Sequence, residues 1–353
     1  MSDIMKKLTK HDGFLKTSTF PEPPALQTSS PGVNYLFGKK AGMKAGSSML
    51  LYGPPKSGKS LLSLAFAGHL HKTDPEAIVL KFDTEFREDS LEHWHQAFGI
   101  DKDRLKYYMT NKPEEIFDFI ANDVQAVIQE EMDKKKTQDP SVGNPIKLII
   151  IDSLAGINYP KEANAESTTN HIMGDAAAYL PRGFKAILPV LRKYKISLIA
   201  CQHIRDNMDA NTSKYIRYTI PGGKGIKHFI EYWTLVEKIN AKDSKTFDSD
   251  KLDGSGNPIQ TGHAIRVKME ESSNGPQNRA VEVDLSYSQG LMNPHKEVAT
   301  LAINMGIIDR PNNMTYVYGG KKWVGYANFE EALKQDPDMQ AELIKKIQEN
   351  DIS

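Results

Sequence analysis

The sequence predicts an α/β protein with a mostly parallel central sheet, a short N-terminal arm and a small α+β C-terminal domain. Three observations carry this reading. Apolar runs alternate with helix-forming stretches between residues 49 and 240. Several of those runs are continuously apolar, as strands covered on both faces require. The first, Met49–Tyr52, enters a glycine-bearing turn and leaves it through the apolar run Leu61–Ala67, which is a strand, a turn and a helix.

That turn is Gly53, Pro54, Pro55, Lys56, Ser57, Gly58, Lys59 and Ser60, the pattern G-x-x-x-x-G-K-S of a phosphate-binding loop. Glycine at 53 and 58 allows backbone angles that a Cβ resists, so the loop amides can turn inward as an anion nest. The helix beginning near Lys59 points its positive dipole end at bound phosphates. Lys59 reaches the outer phosphates and the Ser60 hydroxyl ligates Mg²⁺, which makes ATP and Mg²⁺ the expected cofactors.

Composition sets the class. The chain has 353 residues, 39% of them apolar and 25% charged, the profile of a soluble globular protein. Lys plus Arg and Asp plus Glu both number 45, so a globally basic nucleic-acid binder is not indicated, although local patches remain open. One cysteine, Cys201, excludes an intrachain disulfide and fits a reducing cytoplasm; within Ser197–Cys201 it reads as a small buried strand residue. No signal-peptide core and no membrane-length apolar run is present.

In chain order, residues 1–30 read as an oligomerisation arm, basic at Lys6, Lys7 and Lys10 and stiffened by Pro21, Pro23 and Pro24; a plain solvated arm is the alternative. The core spans 31–290. Its strands are expected at 49–53, 78–83, 147–152, 196–202 and 232–238, its helices at 60–71, 90–98, 114–134 and 175–193. The polar stretch 134–145 reads as a surface loop. A hairpin turn is expected at 253–258, then strands at 265–269 and 280–285. The C-terminal domain, 291–353, carries a helix at 295–306, a hairpin at 316–326 and an acidic helical tail from 328.

Asp152 ends the most apolar strand, and the C-terminal ends of buried strands are where open α/β sheets bind ligands. It reads as the acid that holds a Mg²⁺-bound water, with a helix N-cap as the simpler alternative. Glu85, 26 residues past Lys59, is a candidate general base or water-positioning group; Asp83 competes for that role. Gln202 and His203 close the strand 196–202, where they could contact a γ-phosphate. The loop after them runs from Arg205 to about Gly225, interleaves Lys214, Tyr215, Arg217 and Tyr218, and ends in Pro221, Gly222, Gly223, Lys224 and Gly225. Cations for phosphates and rings for bases suit single-stranded nucleic acid; an ordinary charged loop is the alternative. Residues 159–174 form a second polar loop.

Taken in order, Gly53–Ser60, Phe82–Phe86, Ile150–Leu154, Gln202–Arg205 and Gly222–Lys227 resemble the RecA recombinase family, nearest to the UvsX-type phage recombinases. Tyr316–Lys321 and the stretch from Tyr326 are similar to its small C-terminal domain. The resemblance implies a RecA-like P-loop ATPase core, a DNA-dependent ATPase activity, and filaments on single-stranded DNA that promote strand exchange with double-stranded DNA. It implies Glu85 as catalytic glutamate with Lys59, Asp152 as the second metal residue, and His203 as γ-phosphate sensor. Trp94 falls where the family often has an adenine-stacking Tyr, and a buried core Trp is an equal reading. The DNA loops would be about 159–170 and 206–221. Partners by analogy are a single-strand-binding protein and a loader, and the compartment is cytoplasmic, the host's if the chain is phage-encoded.

One departure stands out. In the family a neighbouring subunit supplies two lysines to ATP, and here those positions read Glu271 and Ser273, after Arg266, Val267 and Lys268. Lys268 or Arg279 is the candidate replacement. Two other functions therefore stay open: a RecA-core hexameric helicase or motor, and an ATP-binding DNA-coating filament with little hydrolysis.

Overall fold

The computed structural model describes residues 22–87, 92–159, 175–206, 218–221, 223–239 and 244–351. Helix α1 (Pro31–Tyr35) precedes β1 (Ser48–Gly53), α2 (Lys59–Thr73), β2 (Ile78–Asp83), α3 (Glu92–Phe98) and β3 (Leu105–Met109). Then come α4 (Pro113–Asp118), α5 (Gln125–Lys134), α6 (Pro140–Gly143), β4 (Ile146–Asp152), α7 (Asp175–Tyr194), β5 (Ser197–His203), β6 (Arg205–Asp206) and β7 (Tyr218–Thr219). The chain continues through α8 (Gly223–Ile226), β8 (Tyr232–Lys238), β9 (Lys245–Leu252), β10 (Pro258–Ser272), β11 (Arg279–Ser286) and β12 (Gly290–Met292). It ends with α9 (Pro294–Asn304), β13 (Asp309–Asn312), β14 (Thr315–Tyr318), β15 (Lys321–Val324), α10 (Tyr326–Gln335) and α11 (Pro337–Glu349).

The main sheet runs β12-β11-β10-β8-β1-β5-β4-β2-β3, with β9 paired to β10. From β3 to β8 it is parallel, and β10 turns it antiparallel. β1 therefore lies at the centre, between β5 and β8, and all six of its residues are buried. Its alternation divides the interior. Met49 and Leu51 join one core with α2 and with Val298, Phe329 and Leu343 of the C-terminal helices. Leu50 and Tyr52 join the other, under Ile116, Ile128, Phe184 and Leu191 of α4, α5 and α7. An apolar run with no polar face is what this double cover demands.

The predicted fold class stands, and several details differ. The short edge strand β3, half exposed and rich in Tyr and Lys, lacks the apolar run that marks a buried strand. The helix expected at 114–134 is interrupted by a π-helical turn over Phe119–Val124. Within 134–145 lies the short α6. The C-terminal hairpin has a third strand, β13, and the tail is two helices, because Pro337 restarts the chain with Asp336 capping the Met339 amide. Of the expected arm, residues 22–30 are described: Leu26 is buried and exchanges backbone hydrogen bonds with Met43. The rest of the expected arm, 1–21, lies outside the described residues. Among those residues no helix is long and apolar enough to cross a membrane.

Candidate nucleotide site

The P-loop sits where β1 leaves the sheet. Gly53 packs so closely that a Cβ there would lie 2.1 Å from the Val236 carbonyl oxygen of β8. Gly58 takes φ +102°, which favours glycine, and starts α2 with no side-chain cap. The first amides of α2 thus lack an intrahelical or side-chain partner. Lys59 is 4% exposed and folds back, its ammonium donating to the carbonyls of Gly53 (3.0 Å) and Pro54 (2.7 Å). Burial lowers its pKa, while Asp152 and Glu85 pull the other way. The buried Ser57 hydroxyl has no hydrogen-bond partner. Pro55 and Lys56 are exposed at the tip, Lys56 at φ +59°.

Glu85 follows the end of β2, which is separated from β1 by β5 and β4 in the sheet order. Its Oε1 accepts from Ser153 Oγ at 2.6 Å and lies 3.0 Å from His203 Nε2; Arg87 Nη2 stands 2.9 Å from Oε2. The His203 hydrogen bond, foremost, then Ser153 and Arg87, hold the Glu85 carboxyl down to about 2 against burial. His203 is the register partner of Gly53, so it carries Glu85 to the mouth of the P-loop. Its Nδ1 is buried without a partner.

Asp83 has a different job. Its carboxylate accepts from the amides of Glu85 (2.9 Å) and Arg87 (2.7 Å) and from the Tyr107 hydroxyl (2.6 Å). It is buried and fully engaged in shaping the turn that presents Glu85. Asp152 ends β4 beside it, followed by a cis peptide to Ser153. Thr84 Oγ1 joins the two strand ends, accepting from the Ser153 amide (2.8 Å) and donating to its carbonyl (2.6 Å).

Gln202 is buried and donates to the Pro221 carbonyl at 2.8 Å, while its Oε1 accepts from the His203 amide. It thus ties the end of β5 to the far end of the segment that follows. Arg205 on β6 pairs with Thr219 on β7, which brings the two ends of that segment together. Tyr218 donates to Glu270 Oε2 at 2.8 Å, and Tyr52 of β1 donates to the same oxygen at 2.5 Å. Lys214, Tyr215, Arg217 and Gly222 lie outside the described residues, as does the loop 160–174. Gly223 and Lys224 lie on α8, and Trp94 on α3; the Trp94 and Lys224 side chains also fall outside what is described.

The two candidate replacement cations are engaged within the subunit. Arg279 makes a bidentate pair with Asp351 (2.6 and 2.7 Å) and a third bond to the Tyr35 carbonyl. Lys268 pairs with Glu270 at 3.2 Å, and Glu271 with Lys227 at 2.6 Å. Sequence reasoning missed Ser153, which follows Asp152 directly, and Lys81, the one charged residue in the apolar run 78–82.

A family model described as an AAA domain matches residues 25–189, a span that holds the P-loop, Glu85 and Asp152. The chain is 23% identical to Protein RecA of Helicobacter acinonychis over 327 residues, 92% of this chain and 83% of that protein. It is 22% identical to Protein RecA of Staphylococcus epidermidis over 299 residues, 85% and 75% of the two chains. With Protein RecA of Mesomycoplasma hyopneumoniae the figures are 23% over 313 residues, 88% and 82%. The fold is accordingly a RecA-like P-loop core with a small antiparallel C-terminal sheet.

Proposed function

We propose that this chain is a DNA-dependent ATPase that assembles as a filament on single-stranded DNA and promotes strand exchange with duplex DNA, nearest in kind to the UvsX-type phage recombinases. The observation that carries this reading is the contact of Glu85 with His203 beside Gly53, which joins an acid, a sensor position and a phosphate loop. Similarity to RecA proteins over most of the chain supports the DNA part.

The residues suit ATP with Mg²⁺. The partnerless Ser57 hydroxyl and the uncapped start of α2 form a cradle for phosphate oxygens. Ser60 and Asp152 offer oxygen donors to a hard cation. Magnesium, when bound, neutralises phosphate charge.

Lys59 leaves the Gly53 and Pro54 carbonyls for the phosphates. Glu85, ionised, orients the water that attacks the γ-phosphorus as the bond to the ADP oxygen breaks, with Ser153 and His203 fixing its carboxylate. Gln202 relays the state of that end to Pro221 and the DNA segment, where Arg205 and Lys224 meet phosphates. ATP turnover measured with and without single-stranded DNA, paired with a strand-invasion assay, tests this. Turnover that DNA stimulates, with joint-molecule formation, is expected; absence of both DNA binding and stimulation sinks the reading.

A second reading is an ATP-binding filament with slow hydrolysis. It is favoured by the internal pairs of Arg279 and Lys268, which leave the neighbour's half of the site without those cations. Turnover that DNA does not raise, on a filament seen by electron microscopy, would select it.

A further inference from the structure

Strand β2 carries a lysine inside a sheet covered on both faces. The Lys81 side chain is 0% exposed. Asp83 and Asp152 are register partners on the adjacent parallel strands β2 and β4, so both carboxylates emerge on one face. Lys81, two residues before Asp83, emerges on that face too, with Tyr107 as its own partner on β3. Its Nζ lies 3.6 Å from Asp152 Oδ2 and 4.8 Å from the Tyr107 ring centroid, and donates to the Tyr107 hydroxyl at 3.3 Å. That hydroxyl donates in turn to Asp83. One buried ammonium therefore touches Asp152 directly and Asp83 through one hydroxyl.

Two buried like charges on adjacent strands repel, and a charge taken out of water needs a partner. Lys59 and Cys201 also face Asp152 from α2 and β5, but the Lys59 ammonium is turned to the P-loop carbonyls. We propose that Lys81 is a positioning residue that holds the Asp152 carboxylate beside Asp83, keeping it set for magnesium and nucleotide while Asp83 shapes the Glu85 turn. This rests on the reading of Asp152 as the magnesium-side acid. A lysine present only to fill space would have no specific link to Asp83.

The test uses the full chain and a fluorescent ADP analogue, titrated with magnesium and with EDTA, in wild type, Lys81→Met, Asp83→Asn and the double variant. Lys81→Met should cut the magnesium-dependent gain in affinity about tenfold, the scale of one lost charge contact. Adding Asp83→Asn, which removes the repelling carboxylate, should restore most of it. Melting temperatures give a second readout. Asp83→Asn should lower stability in the wild-type background and raise it in the Lys81→Met background. If Lys81→Met alone does not fold, recovery of a melting transition in the double variant supports the proposal, and failure to recover overturns it. A wild-type magnesium gain in Lys81→Met, or Asp83→Asn destabilising both backgrounds, also overturns it. Should wild type show no magnesium-dependent binding, the reading of the P-loop site fails, and the sign reversal in melting still decides Lys81.

Discussion

Glu85 Oε1 lies 3.0 Å from Nε2 of His203, a residue 118 positions further along the chain. The contact sits over the P-loop because His203 is paired in register with Gly53. Glu85→Gln should retain nucleotide binding and lose turnover by about 10²–10⁴-fold, the usual worth of a positioned base. Equal turnover in the variant, at saturating ATP, would remove Glu85 from the chemistry.

The same contact has an acid signature. The folded pKa of Glu85, about 2, is depressed from the ordinary 4.5. Its contribution to stability is therefore present above about pH 4.5 and lost as pH falls towards 2. Acid unfolding followed by circular dichroism should show a smaller loss of stability across that window in Glu85→Gln than in wild type.

Glu297 has the opposite sign. Burial raises its carboxyl to about 8, although the Ser30 hydroxyl and the Gly32 amide both donate to Oε2; Oε1 has no partner. Folding then takes up a proton at neutral pH, so stability falls as pH rises from about 4.5 through 8. Glu297→Gln removes that dependence. It should melt higher than wild type at pH 8, by roughly 1–2 kcal/mol, with the gap closing near pH 5.

Gly53→Ala places a methyl 2.1 Å from the Val236 carbonyl oxygen. β1 cannot shift, because it is buried between β5 and β8. We expect a loss of about 2–3 kcal/mol in chemical denaturation together with loss of nucleotide binding. Normal stability with normal binding would show that the strand yields.

Arg279→Ala leaves Asp351, 3% exposed, without its bidentate partner. A buried pair broken on one side costs about 3–5 kcal/mol, and denaturant melts should show a loss of that order. Arg279→Lys should recover little, because an ammonium cannot make both bonds in the same plane.

By itself the sequence determined the P-loop, the buried strands and the acid at the end of β4. Those signals are local: a glycine spacing, an uninterrupted apolar run, a polar residue at its end. Cys201 was legible as a buried strand residue for the same reason. The edge strand β3 was not, because a strand half open to solvent needs no apolar run. Only the tertiary structure decided what each charged side chain does. Asp83 and Glu85 are two residues apart and look alike in sequence, yet one is buried under Tyr107 and the other meets His203. Arg279 reads as a spare cation until Asp351 is seen against it. Lys81 is a lone polar residue in an apolar run until Asp152 is brought within 3.6 Å. The Lys81–Asp152 and Glu85–His203 contacts come from the order β2-β4-β5-β1 across the sheet, Asp83–Tyr107 from the pairing of β2 with β3, and Arg279–Asp351 from the chain end packing on β11, each joining residues far apart in the chain. A buried charge takes its function from the group opposite it, and that group is chosen by strand order rather than by spacing along the chain.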